Sequence, residues 1–300
     1  MPKAANPAAK PVIIEARLNE WSLRQKNPHV PWSPEEIADD ALACWQAGAS
    51  IVHFHVRQPD GSPAHDVALY AEAVRAIRAR CDVLIHPTMA GVVTPDAQAR
   101  LAPLRQLCAD PATKPDFAPL DMGSTNLDQF DARRGDFTTQ GKTYVNTVGT
   151  LKTLAASVQE LGLKELMCIW TVPCLRTAGV FMDAGWIRDD PALLCMVLSE
   201  GGILGGHPGT VQGLDALLQF MPNRRVEWSV CCREGNLVEV GAAAIARGGH
   251  VSTGLGDYAY EELGCPTNAQ LVQLVAEQAL AGGRRAATVR ETRALLGINT

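Results

Sequence analysis

The sequence contains no uninterrupted apolar run approaching the ~20 residues that a membrane-spanning helix needs. Residues 1–10 are small and polar and lack the apolar core of a secretory signal, so we expect them to be a disordered tail. Basic residues are not in excess, since the net charge is -5, which argues against nucleic acid or an anionic membrane as a partner. The nine cysteines include no C-x-x-C pair, and most lie in apolar runs, as in proteins of a reducing compartment. These features predict a cytoplasmic protein that binds small molecules.

What the sequence does contain is a regular alternation of short apolar runs with helical segments. The 300 residues are 47% hydrophobic and 20% charged, which is ordinary for a globular chain with a large core. No linker rich in proline, glycine or serine interrupts them, so we predict one domain over residues 11–300. The predicted strands are residues 12–17, 49–57, 82–86, 117–123, 166–172, 202–205, 226–230 and 250–255.

Eight strands separated by helices indicate an α/β fold with a parallel sheet, and eight such units match a closed (β/α)8 TIM barrel. The helix at residues 34–46 carries a capping-box pattern, with Ser33 before it, Pro34 at its first position and Glu36 three residues after the cap. A doubly wound open sheet is the alternative, but no G-x-G-x-x-G turn follows the first strand. A helix at residues 268–281 is expected to complete the barrel.

The second predicted strand holds the most informative residues, His53 and His55. Alternate side chains of a strand share one face, so both imidazoles project side by side at a loop-bearing strand end. Neutral imidazole is a common ligand of divalent metals, and this arrangement suits two adjacent positions of one ion. A pair of structural core histidines is the alternative. In a barrel, polar groups at the C-terminal strand ends form the active site, and here these ends include Glu15, Arg17, His86, Thr88, Asp121, Ser124, Asn126 and Asp257.

In the order of its motifs the chain resembles the β-keto acid cleavage enzymes, over about residues 11–298. The matching segments are 31–37 (PWSPEEI), 47–57 (AGASIVHFHVR), 59–61 (PDG), 87–88 (PT), 123–124 (GS), 248–251 (GGHV), 268–272 (NAQLV), 287–293 (ATVRETR) and 296–297 (LG). The resemblance implies a (β/α)8 barrel with a divalent metal, usually zinc. It also implies a reaction in which a β-keto acid and acetyl-CoA give acetoacetate and a new acyl-CoA. Members of this family form oligomers, so a homodimer or homotetramer is expected.

The resemblance also implies roles for individual residues. His53 and His55 correspond to metal ligands, and Asp257 to the catalytic carboxylate. Thr88 and Ser124 fall where the family holds the substrate carboxylate and oxyanion, and Asn126 lies just beyond them. We expect His86 to contact the substrate or to stand beside the metal.

One segment departs from the family pattern, because Gly256 occupies the position of the third metal ligand and Ser252 that of an active-site arginine. Strand one, which pairs with strand eight in a closed barrel, carries Glu15 and Arg17 on one face. We therefore predict Glu15 as the third ligand or a carboxylate beside it, and Arg17 as the replacement cation. Glu20, in the loop that follows, is expected to reach the substrate.

Three functions remain open on the sequence alone. The first is the metal-dependent acetyl-CoA reaction, with zinc or another divalent ion, since two imidazoles and a carboxylate suit several metals. The altered strand eight keeps open a metal-dependent aldolase or hydrolase of a keto acid that does not use CoA. The third is a catalytically inactive barrel that binds a metabolite, and the presence of His53, His55 and Asp257 together argues against it.

Overall fold

Eight parallel strands, each followed by a helical connection, form one sheet that curves into a barrel. The computed structural model describes residues 9–20, 22–89 and 94–298. The strands are β1 (Ile14–Arg17), β2 (Ile51–Phe54), β3 (Leu84–Pro87), β4 (Phe117–Asp121), β5 (Lys164–Ile169), β6 (Ala192–Ser199), β7 (Val226–Arg233) and β8 (His250–Thr253). Their hydrogen-bonded order is β3-β2-β1-β8-β7-β6-β5-β4. The predicted (β/α)8 TIM barrel is confirmed.

Nine α-helices surround or close the barrel within the described ranges. They are α1 (Pro34–Ala47), α2 (Val67–Arg78), α3 (Ala97–Cys108), α4 (Val148–Glu160), α5 (Val172–Asp183), α6 (Val211–Leu218), α7 (Val238–Ala246), α8 (Asn268–Ala281) and α9 (Val289–Leu296). The capping box predicted for α1 is present, since Ser33 accepts from Glu36 N and the Glu36 carboxylate accepts from Ser33 N. None of these helices has both the length and the apolar composition needed to cross a bilayer.

The seam between β3 and β4 is where the hydrogen-bonded order of the described strands begins and ends. Asp116, just before β4, bridges it with two contacts to Ile85 of β3. Asp116 N donates to Ile85 O at 2.9 Å, and Ile85 N donates to Asp116 Oδ2 at 2.9 Å. Arg293 of α9 holds the other carboxylate oxygen at 2.9 Å. One aspartate and its arginine therefore complete the barrel at this point.

The position of the sixth strand was predicted wrongly. It was expected at residues 202–205, whereas β6 is Ala192–Ser199 and is buried throughout. Residues 202–205 belong to the loop after β6, where Gly202 has φ 85° and Gly205 contacts the segment that follows β4. The fifth strand ends earlier than predicted, because Thr171 caps the start of α5.

The predicted tail, residues 1–10, lies outside the described residues except for Ala9 and Lys10. The Lys10 ammonium is 2.7 Å from Glu227 Oε2, and Arg284 Nε donates to the Lys10 carbonyl at 2.8 Å. The described chain is therefore attached to the barrel from Lys10 onwards.

A two-part β-hairpin, residues 125–144, separates β4 from α4. Thr125–Asn126 pairs with Thr143–Tyr144, and Phe130–Asp131 pairs with Asp136–Phe137, both antiparallel. The hairpin rests on the loop after β6, because Phe130 N donates to Gly202 O at 2.9 Å. A Cβ at Gly202 would lie 2.0 Å from Phe130 O, so this contact requires glycine.

Candidate active site

The polar cavity of this protein lies at the C-terminal ends of the barrel strands, as the fold class predicts. One half of its wall comes from β1, β2, β3, the end of β7 and the loop after β8, and the other half from β4, β5, β6, α3 and the hairpin. Its main polar lining residues are Arg17, Glu20, His53, His55, His86, Thr88, Arg100, Asp121, Lys142, Tyr144, Trp170, Arg233, Glu234 and Asp257.

His53 and His55 stand next to each other on the first half of this wall, with ring centroids 5.2 Å apart. Both are buried, and burial lowers the pKa of each well below 6.5, so both imidazoles are neutral at pH 7. His53 Nδ1 lies 2.9 Å from the backbone carbonyl of His86 and so carries the proton that it donates there. This leaves the Nε2 lone pair of His53 for an electrophile.

Glu20 is the carboxylate that joins both histidines. One ligand atom each of Glu20, His53 and His55 lies within 4.8 Å of the others, and Glu20 Oε1 is 3.5 Å from His53 Nε2. The same carboxylate forms ion pairs with Arg17 and with Arg233, whose Nη1 is 2.7 Å from Glu20 Oε2. Two imidazole nitrogens and one carboxylate oxygen are a donor set suited to zinc and related divalent ions.

The backbone around Glu20 is held in an unusual conformation, with φ 30°. Arg57 Nη2 donates to the carbonyls of Asn19 and Glu20, at 2.9 and 2.5 Å, and so supports this turn from below. Gly256 of the loop after β8 provides the space: a Cβ there would lie 2.9 Å from Glu20 Cγ and 3.2 Å from Glu20 N. The side chain of Glu20 therefore occupies the volume that a side chain at position 256 would need.

Glu15 lies one layer deeper in the barrel. Its Oε1 is 2.6 Å from His86 Nδ1, and its Oε2 accepts a hydrogen bond from Ser252. Burial opposes ionisation of Glu15, but the charge and hydrogen bond of His86 outweigh it and lower the pKa of the carboxyl group. Glu15, His53 and His86 form a second set of possible metal ligands, which shares His53 with the first set. Glu15 therefore lies near only one of the two predicted histidine ligands, His53, whereas Glu20 lies near both.

Arg17 and Asp257 meet at the centre of the same wall, where Arg17 Nε lies 2.8 Å from Asp257 Oδ2. Both are buried. Burial raises the pKa of Asp257 above 3.8, although Arg17 acts in the opposite direction. A carboxylate with a raised pKa is a better general base than a solvated one, and the guanidinium fixes its orientation.

The remaining predicted residues divide into two groups. Thr88 lines the cavity, and its backbone N donates to Phe54 O at 3.2 Å. Ser124 and Asn126 are exposed and do not line the cavity; Ser124 Oγ accepts from Asn146 N at 2.8 Å and Asn126 Oδ1 from Asp128 N at 3.1 Å. Both hydrogen bonds lie at the base of the hairpin, which begins at residue 125.

Trp170, Tyr144 and Arg100 are among the lining residues of the second half that were not predicted. Trp170 Nε1 and Tyr144 Oη donate to the two oxygens of Asp121, each at 2.8 Å, and Arg100 Nη2 approaches Tyr144 Oη at 3.4 Å. Burial raises the pKa of Tyr144 well above 10, so the phenol remains a donor. Only Asp121, at the end of a predicted strand, carried a signal in the sequence; the others come from a helix, a hairpin and the residue after β5.

Comparison with known proteins places this geometry in a family. The model of the beta-keto acid cleavage enzymes matches residues 11–298. The 3-keto-5-aminohexanoate cleavage enzyme of Acetoanaerobium sticklandii is 31% identical over 97% of this chain and 99% of its own length. The 3-oxoadipate:acetyl-CoA acetyltransferase of Cupriavidus necator is 27% identical over 96% and 95% of the two chains.

Among solved structures, the ternary complex of ObcA with a C4-CoA adduct and oxalate superposes with a TM-score of 0.72. The match covers 90% of this chain and 68% of that chain at 16% identity, and so supports the barrel fold alone. The family model extends over almost the whole chain, and the relatives match over nearly their full lengths. This protein therefore belongs to the beta-keto acid cleavage enzyme family.

Proposed function

We propose that this protein is a metal-dependent enzyme that converts a β-keto acid and acetyl-CoA into acetoacetate and a new acyl-CoA. The observation that carries the proposal is the buried cluster of Glu20, His53 and His55 beside Asp257 at the barrel mouth. The relatives include three enzymes named for reactions with acetyl-CoA, on 3,5-dioxohexanoate, 3-dehydrocarnitine and 3-oxoadipate. We also propose that it works in the cytoplasm as a homo-oligomer.

His53, His55 and Glu20 would hold the metal, which is zinc or another divalent ion. Their fit rests on two neutral imidazoles and a carboxylate that converge in a buried pocket. When bound there, a divalent ion supplies Lewis-acid polarisation of the substrate keto oxygen. Glu15 is the alternative third ligand, because it forms a second set of possible metal ligands with His53 and His86.

The residues of the chain then account for the proton and the charges. Asp257 accepts a proton from the carbon between the keto and carboxylate groups, and Arg17 keeps Asp257 oriented. That carbon forms a bond to the acetyl carbonyl as the acetyl carbon–sulfur bond breaks. The CoA sulfur then attacks the original keto carbon, and the bond between this carbon and the central carbon breaks. The central carbon leaves in acetoacetate, with its proton returned from Asp257, and the original acyl group leaves on CoA. Thr88 at the cavity wall binds the substrate carboxylate in this proposal, and His86 contacts the substrate from below.

The reaction is tested with a panel of β-keto acids, by following acetoacetate from metal-loaded protein with and without acetyl-CoA. Formation of acetoacetate and acyl-CoA only in the presence of acetyl-CoA is expected. Cleavage of the keto acid at the same rate without acetyl-CoA would assign the protein to the CoA-independent aldolases or hydrolases instead.

The ligand set is tested by metal content and by titration calorimetry. We expect His53→Ala to lose stoichiometric metal, whereas His29→Ala, at an exposed histidine, retains it. Glu20→Gln should weaken metal binding by roughly a hundredfold, since one of three protein ligands is lost. If Glu15→Gln weakens binding and Glu20→Gln does not, Glu15 is the third ligand.

A further inference from the structure

The hairpin, residues 125–144, lines one side of the cavity and extends well beyond the cavity wall. Gln129 and Thr138 line the cavity at one level of the hairpin, and Phe130 and Phe137 form the next pair outward. The turn with Arg133 and Arg134 follows. At about 3.3 Å per residue, this turn lies on the order of 10 Å beyond the cavity wall.

The basic and the acidic side chains of this hairpin differ in whether they have partners. Among the described residues, Arg133, Arg134 and Lys142 have no carboxylate within ion-pairing distance. The acids, in contrast, accept hydrogen bonds from the hairpin itself. Asp128 accepts from Thr139 Oγ1 and from the backbone N of residues 141 and 142, and Asp131 accepts from Arg133 N at 2.9 Å. The three cations are therefore the groups that remain available to a ligand.

An aromatic surface lies between the cavity and these cations. Phe130 and Phe137 each remain 36% exposed, and their rings are 5.4 Å apart in an edge-to-face arrangement. Exposed aromatic rings next to cations are suited to a purine base with phosphate groups, because every base can stack on an aromatic face and phosphates pair with guanidinium groups. Lys142 lines the cavity itself, so the cations run from its edge to the end of the hairpin.

We propose that the hairpin binds the nucleotide end of acetyl-CoA, with Arg133, Arg134 and Lys142 at its phosphates and Phe130 and Phe137 against its adenine. This inference rests on the proposed function, which places the thioester in the cavity beside Asp257. The hairpin is continuous with that cavity, and its three cations complement the negative charge of the ligand. The long pantetheine arm spans the distance from the cavity to the hairpin turn.

The proposal is tested by calorimetric titration of CoA and of pantetheine, which has the same thiol arm but no nucleotide. The double variant Arg133→Ala/Arg134→Ala should raise the Kd for CoA at least about tenfold, corresponding to the loss of one charge-assisted contact. Its Kd for pantetheine should not change. Arg188→Ala, at an exposed arginine between α5 and β6 on the opposite face of the barrel, is the matched control and should bind both ligands normally.

A second variant examines the aromatic surface. Phe137→Ala should weaken binding of adenosine 3′,5′-bisphosphate about tenfold, as expected for loss of one stacking contact with a base. Its Kd for pantetheine should again be unchanged, which also shows that the variant is folded.

The outcomes separate this inference from the proposed function. Unchanged CoA affinity in the arginine variant, or an equal loss for pantetheine, overturns the hairpin site while leaving the enzyme assignment intact. If neither CoA nor pantetheine binds to the unmodified protein, the proposed function fails and this inference fails with it. A change of oligomeric state in light scattering, without a change in CoA affinity, would assign the hairpin surface to contacts between copies of the chain.

Discussion

The two ends of this barrel bury carboxylates in opposite ways. At the mouth, Glu15 is ionised, because His86 lowers the pKa of its carboxyl group despite burial. At the floor, Glu165 is fully buried at the start of β5 and forms no ion pair among the described residues; burial and the nearby Asp189 raise its pKa to about 8. The difference teaches that charge inside this barrel is kept only where partners compensate it. Ionised carboxylates with partners serve the proposed chemistry at the mouth, whereas Glu165 at the floor has no compensating cation within the described part of the chain and is protonated at neutral pH.

The strongest test of the mouth is Asp257→Asn, which removes the proposed base but keeps the size of the side chain. We expect kcat to fall about a thousandfold, within the range for loss of a general base. Because the pKa of Asp257 is raised, activity of the unmodified enzyme should decline on the acid side at a pH above 3.8. Steady-state assays of acetoacetate formation measure both effects. Asp189→Asn at the floor is the control, and an equal loss there would contradict the contrast between the two ends.

The next test asks whether a carboxylate at position 256 can replace the metal-binding carboxylate at position 20. Glu20→Gly should weaken metal binding by roughly a hundredfold, since it removes a ligand. Adding Gly256→Glu to Glu20→Gly should restore metal affinity to within about tenfold, because the two side chains compete for one volume. Gly256→Glu alone should lower thermal stability, since its Cβ would collide with Glu20. Calorimetric titration with zinc measures the metal affinities, and thermal unfolding measures the stabilities. If the double variant does not bind zinc, a carboxylate at position 256 cannot replace the one at position 20.

The floor is tested by the pH dependence of stability. The pKa of Glu165 is raised from 4.5 to about 8 in the folded protein. The protonated side chain therefore contributes fully to folding stability below about pH 4.5, and this contribution is lost as the pH rises through about 8. Glu165→Gln should therefore reduce the stability difference between pH 6 and pH 9.5 by about 3 kcal/mol. Denaturant unfolding at the two pH values measures it, and kcat at pH 7 should not change. If stability depends on pH in the same way in Glu165→Gln and in the unmodified protein, Glu165 is ionised in the folded state.

The smallest expected effect lies on the second half of the mouth. Asp121→Asn removes a charge but keeps an acceptor for Trp170 or Tyr144, so we expect KM for the keto acid to change about fivefold, near the worth of one hydrogen bond. The value of kcat should stay the same, because the proposed chemistry is on the opposite half. A large fall in kcat with little change in KM would place a reacting group there.

The sequence was sufficient for the barrel and for the histidine pair because both depend on local pattern. Alternating apolar runs and helix caps indicate strands and helices, and His53 and His55 share a face by strand periodicity alone. The β6 strand was misplaced because residues 192–199 form a continuous apolar run, which periodicity alone does not distinguish from a buried helical segment.

The third possible ligand, Glu20, could not be placed from sequence for a different reason. Its position depends on a turn with φ 30°, on Arg57 holding two carbonyls, and on the empty volume beside Gly256, which is distant in the chain. Strand periodicity instead pointed to Glu15, which is inside the barrel but one layer lower. The hairpin contributions were missed likewise, since a short irregular excursion gives no information on which side chains return to the cavity.

The seam at Asp116 has a consequence for motion. Neighbouring strands elsewhere are joined by ladders of parallel backbone hydrogen bonds, whereas β3 and β4 are held together by Asp116 and its arginine. In amide hydrogen exchange, Ile85 should therefore exchange earlier than residues at the same depth in β6. Opening there would separate the strand of His86 from the strand of Asp121 and widen the cavity. His53 and Arg17, joined across the β1–β2 ladder, would keep their relative positions.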